Sequence, residues 1–350
     1  FGITKPRLVG DIGLRAFVQL VRKGREIIEK DKIDFLYIPI PSFYVSLVAR
    51  ILHRQTGIPY GIDYIDPWVH RFPGSEKLFS RHWFSMRLAA FLEPIAVKKA
   101  RLITGVAEGY YADVLKRNPR LANTVVTGAM PYGGEQSDHD AISVIDIQPY
   151  LFDKKTGKIQ LVYAGAMLPR AYEPLRAIMR AIQTNRSVFE QVEFHFIGTG
   201  KTPNDPNGFN VRQLAQQHDL WETIVFEYPR RIPYLDVLVH LSAADGVFVL
   251  GSTEPHYTPS KMYQAVLSKK PVAAVLHRDS TAVKVLVESG AGIALTMTGD
   301  GDMPAVEEKF TGFFISYLKF LKQFNPERVN LAEFDKYSAK KVTGVLAGLL

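Results

Sequence analysis

The 350-residue chain contains no cysteine. Disulfides, thiolate-held metals and cysteine nucleophiles are therefore excluded. No uninterrupted apolar run reaches the ~18 to 20 residues that a membrane-spanning helix requires. The opening Phe1-Gly2-Ile3-Thr4-Lys5-Pro6 carries no Met and no signal-peptide pattern, and reads as the middle of a domain. A preceding segment that includes a first strand is the expectation. Repeats of solenoid period and low-complexity tracts are missing as well. So are RNP, zinc-finger and helix-turn-helix signatures, and nucleic acid is not an expected partner.

What is present is ordinary for a globular protein: 47% apolar and 22% charged residues, in a length that suggests two domains. The charge is unevenly placed. Residues 1–120 carry 20 Lys/Arg against 11 Asp/Glu, whereas the remainder carries 23 against 24. The basic first third is either a solvated face or a surface that attracts something acidic, such as an anionic membrane or a lipid-phosphate acceptor.

Strand and helix patterns alternate, which predicts parallel sheets covered on both faces. In the first half, strands are expected at Ile33–Ile38, Pro59–Tyr64, Leu102–Val106 and Thr124–Thr127, separated by helices near 11–30, 43–55, 79–99 and 107–118. The Gly-, Asp- and Pro-rich segment 131–158 interrupts the rhythm and reads as a linker. A second set follows at Ile159–Ala164, Val192–Ile197, Ile224–Glu227, Val247–Leu250, Val272–Leu276 and Ile293–Leu295, with helices near 173–184, 210–218, 234–242, 260–268 and 281–288. The expected domains are 1–130 and 159–330, closed by a C-terminal stretch, 331–350, with an amphipathic helix near 335–349. The helical stretch His82–Leu92, flanked by cations, suits a membrane surface, but packing on its own sheet is the preferred reading.

The stretch from Thr258 to Val275, TPSKMYQAVLSKKPVAAV, carries the most information. It reads as a turn, a helix of three turns with Pro259 at its start, a tight connection and a buried strand. Ser260 and Lys261 stand at the helix N-terminus, where unpaired amides and the dipole favour phosphate. With Gln264 and Lys270-Pro271-Val272, this layout resembles the nucleotide-sugar segment of retaining glycosyltransferases of family 4, of bacterial polysaccharide and cell-envelope type. The resemblance spans most of residues 33–349, and is strong in 159–165 and 247–276. It implies the GT-B fold, two Rossmann-like domains whose parallel sheets face each other across a cleft. It also implies that the last helix crosses back to the first domain.

Further residues take their roles from the same resemblance. The strand Ile159–Ala164 ends in Gly165, where a diphosphate approaches the backbone. The family places an Arg soon after that glycine; here position 166 is Ala and the nearest cation is Arg170, which either serves from a longer loop or is a surface residue. Glu193–Thr202 superficially resembles a P-loop, but His195 stands where a glycine is required, so that reading fails. Gly198 and Gly200 match instead the glycines lining the donor cleft, with His195 a packed core residue. Arg231 is a candidate contact to base or phosphate, against the alternative of a solvated loop cation. Gln264 stands where the family has the ribose-binding Glu. Eight positions earlier is His256 rather than Glu, with Glu254 two positions away. In the first domain, Asp63-Tyr64-Ile65-Asp66-Pro67-Trp68 resembles the family's sugar-facing strand end, although Asp-Pro is also a common turn device. His70 and Arg71 follow it on the acceptor side. Asp138-His139-Asp140 matches the metal signature of the other major glycosyltransferase fold. Its place in the linker marks it as chance, and no metal is expected.

The expected function is metal-independent, retaining transfer from a nucleoside-diphosphate sugar to a saccharide or lipid-linked acceptor, with no cofactor. Catalytic positions are Asp66 and Glu254. The expected location is cytoplasmic or peripheral at the inner membrane face. Alternatives are a non-catalytic nucleotide-sugar-binding scaffold and a nucleotide-sugar 2-epimerase.

Overall fold

A computed structural model of the chain describes residues 14–70, 76–200, 202 and 204–350. They divide into two compact units, one reaching Pro131 and including Val342–Leu350, the other Tyr132–Lys341. Arg71, Lys201 and the chain's opening lie outside the described residues.

In the first unit, strands β1 (Leu36–Ile40), β2 (Tyr60–Tyr64), β3 (Leu102–Gly105) and β4 (Val126–Ala129) form a parallel sheet in that order. Between and before them run helices α1 (Leu14–Asp31), α2 (Val45–Thr56), α3 (Arg81–Val97) and α4 (Glu108–Arg117). Tyr60, Ile62 and Tyr64 of β2 are fully buried, as expected of a strand covered by helices. Helix α3 starts at Ser80, whose hydroxyl accepts from the Trp83 amide at 3.0 Å. It buries Ala89, Glu93, Ala96 and Val97, but leaves Phe84, Phe91 and Ile95 exposed. Packing on its own unit therefore accounts for one face of this helix and not the other.

The second unit holds a six-stranded parallel sheet: β5 (Ile159–Ala164), β6 (Val192–Ile197), β7 (Val225–Tyr228), β8 (Gly246–Leu250), β9 (Val272–His277) and β10 (Gly292–Met297). Their order is β10-β9-β8-β5-β6-β7. Alternate side chains feed two cores. Leu161, Tyr163, Phe194, Phe248 and Val275 pack on one side with the helices Tyr172–Thr184 and Met303–Gln323. Val162, Ile197, Val249, Ala274 and Leu276 pack on the other with Tyr234–Ala243, Lys261–Leu267 and Thr281–Ser289. This period of two on a doubly covered sheet explains why every residue of β6, β8 and β9 is buried.

Two observations depart from expectation. The longest helix of the described residues, Met303–Gln323, has no counterpart in the pattern reading, despite Pro304 in its first turn and apolar residues at Val306, Phe310, Phe314 and Tyr317. Its central Thr311-Gly312 and its aromatic density obscure the helical signal. Residues 132–158 pack with the second unit: they contain a short helix, Gln136–Ala141, and Gly134 bridges to Ser338.

Candidate active site

In the second sheet β5 continues to β6 on one side, while β8 lies on its other side. The chain direction of growth reverses here, and the carboxyl ends of β5 and β8 diverge into a crevice, the usual ligand position in such sheets. A cavity of about 430 Å³ opens at that point, lined among others by Gly165, Ser260, Lys261, Gln264, Tyr257 and Tyr132. A second, of about 400 Å³, shares Gly165, Ala166, Tyr234 and Val237 with it and adds Gly198 and Arg231. Each volume falls within the range of small-molecule sites.

Gly165 has φ +128°, a conformation closed to residues with a Cβ. A Cβ built there would also stand 3.2 Å from Cε of Lys261, a tight contact that the lysine would have to shift to relieve. Gly198, φ +71°, makes the corresponding turn after β6. Gly200 lies outside both cavities; a Cβ on it would come within 2.6 Å of the Pro229 carbonyl.

Lys261 is the central cation. Its Nζ donates to the Tyr163 hydroxyl at 2.6 Å, and that hydroxyl donates to the Ala166 carbonyl at 3.1 Å. The side chain is thus tied to the loop that follows β5. Burial pushes its ammonium down from the usual lysine range to about 7. The helix it begins, Lys261–Leu267, has two turns rather than three. The Met262 and Tyr263 amides bond back to the Pro259 and Ser260 carbonyls, at 3.0 and 3.2 Å. Charge for an anion comes chiefly from the lysine.

Gln264 Oε1 accepts a hydrogen bond from Nε2 of His139 at 2.8 Å. An amide oxygen has no proton to give, so the imidazole is protonated at Nε2. Burial lowers the His139 pKa, partly offset by the bond to Gln264 and the charges of Asp138 and Asp140. Asp138 accepts from the Tyr234 hydroxyl at 3.0 Å. The segment Asp138–Asp140 thus stands behind the site, bonded to two residues that line the cavity, Gln264 and Tyr234. Its signal was invisible because only the fold brings it to Gln264. Tyr132, Tyr234 and Tyr257 were missed for the same reason.

Arg170 and Glu254 lie together: Nε of the arginine is 3.6 Å from Oε1 of the carboxylate, and Nη1 is 3.4 Å from Asp300. The phosphate cation and sugar carboxylate expected from sequence hold one another in this state. In the first unit, Asp66 is exposed beyond the end of β2, and Trp68 stacks on Phe43 with centroids 5.8 Å apart. His70 is half-buried. Asp63 accepts from Thr104 at 2.7 Å, and burial raises its pKa. His195 is indeed packed in the core, stacked 4.7 Å from Phe152, and burial lowers it to about 4. Among the described residues no group of three His, Asp or Glu side chains is placed to hold a metal ion, and no helix is long and apolar enough to cross a membrane.

No family model and no curated protein matches this sequence. Solved structures do match the fold. A glycosyltransferase from Rickettsia africae aligns with a TM-score of 0.65 at 13% identity, covering 97% of this chain and 82% of that one. The sucrose-phosphate synthase of Thermosynechococcus elongatus gives 0.63 at 14% identity, over 99% and 81%. HepE of Anabaena, in complex with UDP, gives 0.64 at 14% identity, over 95% and 81%. The fold is that of GT-B glycosyltransferases: α/β, with two units built on parallel sheets.

Proposed function

We propose that this chain is a glycosyltransferase of the retaining, family 4 type. It moves a hexose from a nucleoside-diphosphate sugar to a saccharide or lipid-linked acceptor at the cytoplasmic face of a membrane, with no metal ion or cofactor. The observation that carries this reading is the cation Lys261 standing over Gly165 in the crevice between β5 and β8. The glycine lets a diphosphate reach the backbone, and the lysine neutralises it. Gln264, oriented by His139, bonds the ribose. Gly198 and Arg231 flank the base in the adjoining cavity. Arg170 and Glu254 separate when a donor enters, the first toward phosphate and the second toward the sugar. Asp66, His70 and Arg71 belong to the acceptor side. HepE, solved with UDP and with UDP-glucose, supports a nucleotide-sugar donor.

In the reaction the bond from the anomeric carbon to the β-phosphate oxygen breaks. The acceptor oxygen forms its bond on the same face, and its proton passes to the departing phosphate. Lys261 acts by stabilising charge that grows on that phosphate. The test is a panel of labelled UDP-, ADP- and GDP-hexoses with saccharide and lipid-linked acceptors, read by calorimetry and by NMR of the product. Binding of one donor class and an axial product from an axial donor are expected. Binding without turnover across the panel would point to a scaffold, an epimerised free donor to a 2-epimerase, and no binding would refute the donor site.

A further inference from the structure

The face of α3 that its own unit leaves bare has a definite pattern. At about 100° per residue, Phe84, Leu88, Phe91 and Ile95 fall within ~60° of one another on the helix surface. Phe84 and Phe91 are 54% and 68% exposed, and Phe79, just before the helix, is 77% exposed. Phe79 also has φ +58°, an unfavourable backbone conformation for a bulky residue. Its ring packs against Trp83 and Phe84, at centroid distances of 5.6 and 6.3 Å, rather than into a core. An exposed aromatic cluster that is held in a strained backbone marks a contact surface.

From Lys77 to Lys99, just after the exposed Glu76, the exposed charges have one sign. Arg81 lies on one flank and Arg87 on the other, and Lys98 and Lys99 close the C-terminal end. Between Lys77 and Lys99 the one acid is Glu93, which is buried on the opposite face and bonded through both oxygens to Arg117, at 2.8 and 3.1 Å. At the C-terminal end of α3 a groove of about 420 Å³ is lined by Lys98, Lys99, Arg120, Pro94 and Leu121, with no carboxylate in its wall. Arg117 also borders it, but its charge is committed to Glu93.

We infer that this face of α3 seats on an anionic lipid bilayer. Phe79, Phe84, Phe91 and Ile95 enter the headgroup–acyl boundary, Arg81, Arg87 and Lys98 meet the surface charge, and the groove beside Lys99 and Arg120 receives a lipid phosphate. The bilayer is favoured over a protein partner because the apolar stripe lies on an exposed helix face with a cation on each flank and two more at its end, the arrangement of helices that lie in an interface. Charge complementarity then selects anionic lipid. This gives a surface to the membrane location proposed above and stands on α3 and the residues at its two ends, independent of the donor site.

The experiment is flotation of the full chain with vesicles of phosphatidylcholine alone, or with about a third phosphatidylglycerol. Binding to the anionic vesicles, weakened by salt, and little binding to the neutral ones are expected. F84S/F91S lowers partitioning roughly tenfold or more. R81Q/R87Q lowers it on the order of 10-fold or more for the anionic vesicles. Both pairs keep the wild-type affinity for a nucleoside diphosphate, which also shows that they fold. Equal binding to both vesicle types overturns the charge argument, and no loss in F84S/F91S overturns the surface. A concentration-dependent dimer without lipid, abolished by F91S, would assign the face to a second copy instead. Loss of transfer with flotation intact would count against the donor site and not against this surface.

Discussion

Nε2 of His139 lies 2.8 Å from the side-chain oxygen of Gln264, although 125 positions separate them. The pair holds the amide of a residue that lines the cavity, where under the proposed function it would bond a ribose hydroxyl. Q264A is expected to weaken nucleoside-diphosphate binding by about 5- to 10-fold, the scale of one net hydrogen bond. H139A weakens it less, and the double variant binds no worse than Q264A, because the imidazole acts only through the amide. Calorimetry on the four proteins measures this coupling. Additive losses would show that His139 does not act through Gln264.

Lys261 provides a pH signature. With its ammonium near 7 in the free protein, diphosphate binding must take up a proton above that pH. Affinity is expected to fall by up to about tenfold per pH unit from 7 to 9, whereas K261M binds some 10- to 100-fold more weakly at pH 6.5 and shows a flat profile.

The same lysine makes a stability prediction of definite sign. Its folded pKa lies below its unfolded value, so the unfolded chain holds more protons between about 7 and 10.5. Stability from this group is therefore lowest below pH 7 and rises with pH across that window. K261M should melt higher than wild type at pH 6, with the advantage shrinking toward pH 10. A constant difference would mean that the lysine is not desolvated.

The Arg170–Glu254 pair, 3.6 Å apart and partly exposed, is worth at most about 1 kcal/mol. E254Q removes one of the arginine's two carboxylate partners, leaving Asp300, and should bind UDP up to ~5-fold more tightly. If the carboxylate positions the sugar, the same variant loses kcat with the complete donor. A loss of both would place Glu254 among the phosphate contacts.

Glu93, fully buried, depends on Arg117. R117M strands a carboxylate and should cost about 3 to 5 kcal/mol in urea denaturation. Burial raises the Glu93 pKa even with its partner present. Without Arg117 the folded state takes up a proton more readily than the unfolded one, so the defect should be smaller at pH 5 than at pH 8.

Much of the fold was legible in the sequence, because buried parallel strands are short apolar runs set between turn residues. β5 and β6 begin and end where their patterns do. The helix Met303–Gln323 escaped because aromatic, β-branched and glycine residues at its centre blur a 3.6-residue period that only packing on Tyr172–Thr184 makes decisive. In α3 the apolar residues were visible but their direction was not; a helix apolar on two faces has no periodicity to tell the buried one from the bare.

By itself the sequence determined the local chemistry: a glycine at the end of β5, a lysine at the start of a helix, and a run of cations around aromatic residues in the first third. These follow from residue type and near-neighbour spacing. The tertiary structure alone decided that Lys261 stands over Gly165, that His139 holds Gln264, and that Arg170 and Glu254 hold each other. Those pairings depend on which strand ends the sheet order brings together, and strand order is a property of the whole core rather than of any segment.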